Sequence, residues 1–556
     1  MIMDLPWIGF GINFSLRIDQ LSAFVIIAAN IFGLLVALYS IPFMKGKRFA
    51  GQFFIYLLLS LIFINGAVLA DNLIVMLFFW EGLLVTMFAM IMIGSRNAFR
   101  TAIKAFIIVG ISDLCMMLGI ILAGHLAGTL EMSKINLPLD ALGSVSFILL
   151  MIGAIAKGGS MPFHSWIPDA AIDAPLPFMA FMPAAIEKLL GIYFLARISL
   201  NMFQLTTTSW ISTLLMTIGA LTILLAVMMA LIQKDFKKLL SYHAISQVGY
   251  MILGIGTALP AGIIGGLFHM INNAMYKSCL FLTGGSVEKQ TGTTDLSRLG
   301  GIGMKMPVTF TCFIITALSI SGVPPFNGFF SKELVYDASL ERGLIFYLAA
   351  VIGSFFTAAS FLKLGHAAFV DRAREEQKNL KEVPFAMQAP MILIALGCII
   401  FGVFNYLPLG WLQPVLGAHG ANVHSFAGFP ANLMLVFITL IVLAAALLNH
   451  LYGVWKRGSG LKAVDHIHYA PVLSGIYDRA ERKVFDPYDI GMSIVYFLSR
   501  VLERADKAVD WVYEILTVKL AYGLTYYIRK AHGGNYAVYM AWSLVGLLFV
   551  VIFLVI

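Results

Sequence analysis

Charge is what this chain has least of. Only 12% of its 556 residues are charged, against 60% hydrophobic, and mean hydropathy is +0.89. A soluble domain of this length carries about twice that charged fraction. The composition excludes a string of soluble domains and assigns the length to membrane spans. Cysteine is scarce as well: Cys115, Cys279, Cys312 and Cys398 form no CxxC pair, so no iron–sulfur, zinc or disulfide framework is read from them. Neither a dinucleotide-binding glycine loop nor a Walker A motif is present. The first twenty residues lack the basic-then-apolar pattern of a cleaved signal peptide.

Against that background, apolar segments of spanning length recur about fourteen times between residues 21 and 556. With the N-terminus placed outside, the inward loops hold 16 Lys/Arg and the outward segments hold three, Arg17, Lys134 and Arg342. The positive-inside rule supports that count and orientation, with both termini outside a cytoplasmic membrane. The net charge of +8 then reads as basic cytoplasmic loops, not as a nucleic-acid surface.

Five charges sit inside stretches that otherwise span: Glu81, Lys157, Lys188, Lys277 and Lys332. A charge at the bilayer centre costs from roughly 3 to above 10 kcal/mol, so such residues face a protein interior or water and mark an ion path. Two spans are also interrupted, one at Lys157-Gly-Gly-Ser-Met-Pro162 through Pro168, the other at Gly322-Val-Pro-Pro-Phe-Asn-Gly328. Proline removes a backbone donor and breaks helices. Broken helices at corresponding places in two halves mark repeat-built transporters.

Around these breaks the polar residues have helical spacing. His269, Asn273 and Lys277 lie at i, i+4 and i+8 and share one face. Asp113 is a further intramembrane carboxylate and a partner for one of the lysines, and Glu187 adjoins Lys188. His164 lies within the first break, and Glu333 follows Lys332 after the second. A desolvated lysine releases its proton more readily and a nearby carboxylate reverses this, so buried Lys/Glu pairs can relay protons. Histidine suits an intermediate carrier.

Near the C-terminal end the pattern changes. Asp486-Pro487 marks a helix start, and apolar residues such as Ile494, Phe497, Leu498, Val501 and Leu502 then recur at helical spacing. The opposite face carries Arg500, Glu503, Arg504, Asp506, Lys507, Asp510 and Glu514. This predicts an amphipathic rod of roughly 65 Å, lying along the cytoplasmic interface rather than spanning.

Phe163-His-Ser-Trp-Ile-Pro-Asp169 after Lys157 resembles the lysine-to-HxWLPDA stretch of the antiporter-like subunits of respiratory complex I. Multisubunit Na⁺/H⁺ antiporters and energy-converting membrane-bound hydrogenases share that fold. Leu239–Tyr250, His269 to Lys277, and Pro324-Pro-Phe-Asn-Gly-Phe-Phe-Ser-Lys332 match the same family in order. The rod and last span look like the lateral helix of the largest, distal complex I subunit.

The resemblance implies an all-α polytopic membrane fold of two inverted five-helix repeats, each with a broken helix. N-terminal helices would occupy 1–72, the repeats 73–201 and 209–370, accessory helices 388–454, the lateral helix 473–532 and an anchoring helix 535–556. It pairs Glu81 with Lys157, makes Lys188 the linking lysine, Lys277 the central one and Lys332 the exit-side one; His269, by its chemistry, suits an intermediate carrier. Iron–sulfur clusters or other redox centres would belong to partner subunits, and this chain would hold no cofactor or metal. Implied partners are neighbouring membrane subunits gripped by the lateral helix, a peripheral redox module, membrane lipid and H⁺, with Na⁺ as the alternative ion.

Departures from the family pattern are the absence of two N-terminal spans, Asn273 where a second histidine is usual, and the added Glu187. Lys363-Leu-Gly-His366-Ala-Ala-Phe reads more like the hydrogenase-linked branch. The leading expectation is a redox-driven proton-translocating subunit. The alternatives are a subunit of a secondary Na⁺/H⁺ antiporter or of a proton-coupled inorganic-carbon uptake assembly.

Overall fold

The structure is a computed structural model that describes residues 3–9, 12–95, 97–377, 379–420, 425–471 and 473–556. An antiparallel hairpin of β1 (Met3–Gly9) and β2 (Ile12–Leu16) precedes the helices, with Met3 paired to Leu16. This departs from the all-α expectation. The strands are too short to stand out by periodicity, and side-chain contacts hold them: Ser15 donates to Asp4 at 2.9 Å, and Trp7 meets Phe14 edge-on at 5.6 Å.

Thereafter the fold is helical. Two N-terminal helices, α1 (Gln20–Met44) and α2 (Ala50–Leu69), are followed over residues 73–201 by α3 (Leu73–Met92), α4 (Ala98–Ala127), α5 (Ala141–Gly158), α6 (Trp166–Asp173), α7 (Leu176–Phe181) and α8 (Glu187–Arg197). Local signals set their starts. Asp19 and Ser22 form a capping box at α1, Asn72 accepts from Ile74 N–H at α3, and Asp140 from Gly143 N–H at α5. The second region holds α9 (Trp210–Ile232), α10 (Phe236–Gly256), α11 (Pro260–Thr291), α12 (Pro307–Ser321), α13 (Asn327–Arg342) and α14 (Leu344–Gly365). Helices α15 (Phe385–Val403), α16 (Tyr406–Leu412), α17 (Leu433–Arg457), α18 (Asp465–His468) and α19 (Leu473–Glu481) follow.

Among the described residues, eleven helices are long and apolar enough to cross a membrane. Three of the fourteen expected segments fall outside that set, for two physical reasons. The polar residues of α10 and α11 lower their apolarity: His243 and Gln247 in one, His269, Asn272, Asn273 and Lys277 in the other. Both helices are buried along nearly their whole length, so these groups meet protein instead of lipid. The third segment is divided: α12 has 15 residues because the chain breaks at Gly322.

The chain separates into two compact units, Met1–Arg482 and Lys483–Ile556. Within the second, α20 (Pro487–Asp510), a π-helical turn (Trp511–Leu516) and α21 (Thr517–Ala531) follow one another directly. Asp486 caps this run by accepting from Tyr488 N–H at 3.0 Å. The expected segment 473–532 is therefore not one helix. Helix α19 belongs to the first unit, and Lys483 at φ 59 lies in the turn before Pro487. The last helix is α22 (Tyr536–Val555).

Candidate functional site

Both breaks fall where the sequence places them. Gly159 after α5 has φ 78 and Gly322 after α12 has φ 80, a left-handed conformation that glycine alone adopts without cost from a Cβ. Each break leaves helix-terminal carbonyls inside the protein, where they need donors other than the helix itself. A lysine answers both ends: Lys188 Nζ donates to Gly158 O at 3.1 Å, and Lys332 Nζ to Ile320 O at 2.8 Å. A cation there also complements the negative end of the helix dipole.

At the first break, Lys157 Nζ lies 3.7 Å from Asp113 Oδ2 and donates to Trp80 O at 3.4 Å. The Trp80 indole donates to Asp113 Oδ1 at 2.8 Å, and its ring centroid is 5.0 Å from the ammonium. Trp80 thus binds both members of the pair. Glu81, the next residue, is half-buried on α3. Among the described residues, the ion pair within 4.0 Å of Lys157 is made by Asp113, not by Glu81 as the resemblance implied. Glu187 and Lys188 are both buried, and Glu187 Oε2 has no hydrogen-bond partner among the described residues. His164 is half-buried within the break. Lys104 pairs with Asp169 at 2.9 Å and ties α6 to α4.

The stripe on α11 is wholly buried, but its members turn to different neighbours. His269 Nδ1 lies 2.9 Å from Ser331 Oγ, while Nε2 lies 3.1 Å from Gln247 Oε1 and 3.2 Å from Tyr276 OH. Asn273 Nδ2 donates to Ala184 O at 3.2 Å. Lys277 Nζ donates to Leu240 O at 3.0 Å and sits 5.3 Å from the Phe361 ring centroid.

At the second break, Lys332 Nζ also donates to Ser354 Oγ at 2.9 Å and lies 5.1 Å over the Tyr250 ring. Ser354 in turn meets Tyr336 OH at 2.5 Å and Tyr250 OH at 3.2 Å. Asn327 opens α13 and bonds Ser319 and Asn272, tying both sides of the break to α11. Glu333 accepts from Thr439 at 2.5 Å, and its Oε2 has no partner among the described residues.

Sequence reasoning missed His243. Its Nε2 is 2.7 Å from Ser360 Oγ, and its ring stands 4.7 Å from Phe361, the ring that also faces Lys277. The available signal was a histidine within a buried helix, in a stretch already singled out for its resemblance. Gln247, Tyr276 and Ser354 were missed because single neutral polar residues in a span carry no warning. Lys363 is a further buried lysine, donating to Leu231 O and Gln233 O at 2.7 Å each, at the end of α9. Among the described residues, no group of three or more His, Cys, Asp and Glu could hold a metal ion.

A helical bundle with two broken spans and cations buried against their ends defines a polytopic membrane protein of the repeat-built transporter class. The chain belongs to the family described as "NADH:quinone oxidoreductase/Mrp antiporter, TM", which matches residues 70–357, more than half its length. "NADH-Ubiquinone oxidoreductase (complex I), chain 5 N-terminus" matches residues 6–54. It is a multi-pass membrane protein of that family. An Na(+)/H(+) antiporter subunit from Alkalihalophilus pseudofirmus is 32% identical over 85% of this chain and 64% of its own length. The corresponding Na(+)/H(+) antiporter subunit from Staphylococcus haemolyticus is 31% identical over 82% of this chain and 61% of its own. The chain therefore spans less than two thirds of these relatives.

Among solved structures, the Mrp complex of Dietzia sp. has a chain similar at TM-score 0.66 and 21% identity, covering 73% of this chain and 84% of that one. A chain of respiratory complex I from Thermus thermophilus reaches 0.68 and 22%, over 75% and 88%. A chain of the archaeal membrane-bound sulfane sulfur reductase also reaches 0.68 and 22%, over 99% and 91%. At these identities the structures speak for fold alone. The curated relatives carry antiporter names, so the hydrogenase-branch reading of residues 363–369 gains no support from them.

Proposed function

We propose that this chain conducts protons along its row of buried lysines as one subunit of a larger assembly in the cytoplasmic membrane. The row runs from Glu81 and Lys157 through Lys188 and Lys277 to Lys332, with His269 and His243 as intermediate carriers. The observation that carries this reading is the set of acceptors: Lys188, Lys277 and Lys332 each rest on a backbone carbonyl. A lysine held by a neutral acceptor can release its proton without stranding a buried countercharge. Lys277→Ala should abolish proton movement in inverted vesicles while the assembly remains intact. Unchanged movement would remove Lys277 from the path.

Na⁺/H⁺ exchange is the coupling favoured by the antiporter names of the two relatives. A redox-driven assembly, with iron–sulfur clusters in partner subunits, is the second reading. It rests on the resemblance of the motifs around Lys157, Lys277 and Lys332 to those of complex I subunits. A sodium pulse that generates a pH gradient without any reductant selects the first, and reductant-driven acidification in sodium-free medium selects the second. The rod of α20 and α21 would lie on the cytoplasmic side and hold neighbouring membrane subunits, since apolar residues such as Ile494, Phe497 and Leu502 find no cover within their own unit. Truncation after Lys483 should loosen the purified complex; equal stability without the rod would refute that role.

A further inference from the structure

A groove of about 620 Å³ lies between α12, α14 and α17, within the size range of small-molecule sites. Its walls are apolar, including Ala317, Leu318, Leu362, Leu443 and Ala444. Val323 and Pro324 of the second break line one end. The other end is marked by Phe310, which stacks on Phe369 at 4.9 Å, and by His366 and His450. Rim residues Ile314, Leu440 and Leu447 are 39%, 46% and 45% exposed, so the groove opens on the outer surface of this chain's spans.

Its polar end is unusual. His450 is only 4% exposed, and its Nε2 lies 3.0 Å from His366 Nδ1. His450 Nδ1 is buried with no hydrogen-bond partner among the described residues. A buried polar atom left unpaired is costly, and His450 is one of the few polar side chains lining the groove. From Leu440 to His450, α17 rises about 15 Å, half of the ~30 Å hydrocarbon core. The groove therefore has the depth of one leaflet. Lys456 and Arg457 close α17, Arg457 about 10 Å beyond His450, where a lipid phosphate would stand.

We propose that this groove binds one acyl chain of an anionic membrane phospholipid, with its tail toward Pro324 and its ester end at His450. When Nδ1 carries the proton of a neutral His450, it can donate to an ester carbonyl while Nε2 accepts from His366. The chain would rest against Phe361, whose ring also meets His243 and Lys277. It would thus form the hydrocarbon wall beside the central lysine.

The test uses the full chain in its native assembly, in vesicles containing phosphatidylglycerol with a diazirine on one acyl chain. After illumination, peptide mass spectrometry should place the label mainly on residues 310–324 and 440–450. Ala444→Trp should lower that label about tenfold, because losing contact with two methylenes suffices for such a loss. Leu448→Trp, on an exposed residue outside the groove lining, should leave it unchanged. Label spread evenly over all lipid-facing helices overturns the proposal, as does groove label unaffected by Ala444→Trp. Displacement by an isoprenoid quinone but not by unlabelled phosphatidylglycerol assigns a different occupant and also overturns it. Label that reaches the groove only after neighbouring subunits are stripped away shows a protein cover and overturns it too. The label map of the unaltered chain decides between these outcomes even if the tryptophan variant does not assemble.

Discussion

At the first break, Lys157 stands 3.7 Å from the buried Asp113 carboxylate, and Lys188, next to Glu187 in sequence, donates to Gly158 O. At the second, Lys332 donates to Ile320 O and Ser354 Oγ, both neutral, and the tyrosines around it meet the same serine. The backbone device is the same at both places: a glycine in the left-handed region, a helix end, and a lysine on its carbonyl. The side-chain electrostatics differ. Lys157 is balanced by a carboxylate, whereas Lys332 rests on a carbonyl, a hydroxyl and the Tyr250 ring, with no ion pair within 4.0 Å among the described residues. A buried ion pair is costly to break from one side, whereas a neutral acceptor removed from one lysine leaves that lysine its others. The first half should therefore be rigid in charge state and the second adjustable.

The largest effect should come from breaking the charge balance. Asp113→Asn keeps an acceptor for the Trp80 indole and removes only the charge, leaving Lys157 buried and unpaired. A loss of about 3 kcal/mol is expected, read as earlier thermal aggregation in detergent, with recovery in the double variant Asp113→Asn, Lys157→Met. A loss below ~1 kcal/mol would mean that Lys157 draws its countercharge from Glu81 or Glu187, and the contrast between the halves would shrink.

Steric substitutions should instead make the halves alike. A Cβ on Gly191 would stand 2.6 Å from Ala154 O and Gly158 N, and one on Gly328 would enter Ser319 O. Either alanine forces a backbone beside its break to shift, at about 1–3 kcal/mol. Markedly unequal losses would show that one break has slack the other lacks.

How much of this was legible beforehand follows from what sequence periodicity can carry. Lys157, Lys188, Lys277 and Lys332 stood out because a charge in an apolar run violates the expectation for a span, and Pro/Gly clusters located both breaks for the same reason. Asp113 as a lysine partner was legible as a type of residue, but its choice over Glu81 was not. That choice depends on Trp80 bridging α3, α4 and α5, a three-dimensional fact. Ser354 and Gln247 gave no sign because one hydroxyl or amide in a span is ordinary. The hairpin β1–β2 was hidden by its brevity. The even stripe read along α11 was the subtler miss: helical spacing put His269, Asn273 and Lys277 on one face, yet their partners lie on three different segments, near Ser331, Ala184 and Leu240.

On the neutral side of the comparison, Ser354→Ala removes one of the two acceptors of Lys332 and a partner of Tyr336. Because Ile320 O remains, the loss should be about 1 kcal/mol. Proton movement should slow while sodium or reductant dependence is unchanged. Complete loss of movement would make Ser354 part of the path itself.

The smallest effects should lie at the edges of the two halves, outside the spans, where the same contrast recurs. Asp19 before α1 is paired with Arg197 at 2.5 Å. Burial pushes its carboxyl up, but Arg197 and the Ser22 bonds outweigh this and hold it below the usual carboxylate range. Asp371, after α14, is likewise held low: burial raises it, but bonds from Arg372 N–H, Ser459 and Gly460 N–H, with the nearby His366, outweigh this. A carboxylate with a depressed folded pKa stabilises above its unfolded value, near 3.9, and that contribution is lost as pH falls through the folded value. Neither group should then shape stability between about pH 5 and 8. Asparagine at Asp371 keeps an acceptor for its neutral donors and should stay within ~0.5 kcal/mol of the parent. Asparagine at Asp19 leaves Arg197 without its countercharge and should cost more. Equal behaviour of the two variants across an acid titration of thermal stability would mean that the Asp19–Arg197 pair is screened by solvent, and that charge balance distinguishes only the interiors of the two halves.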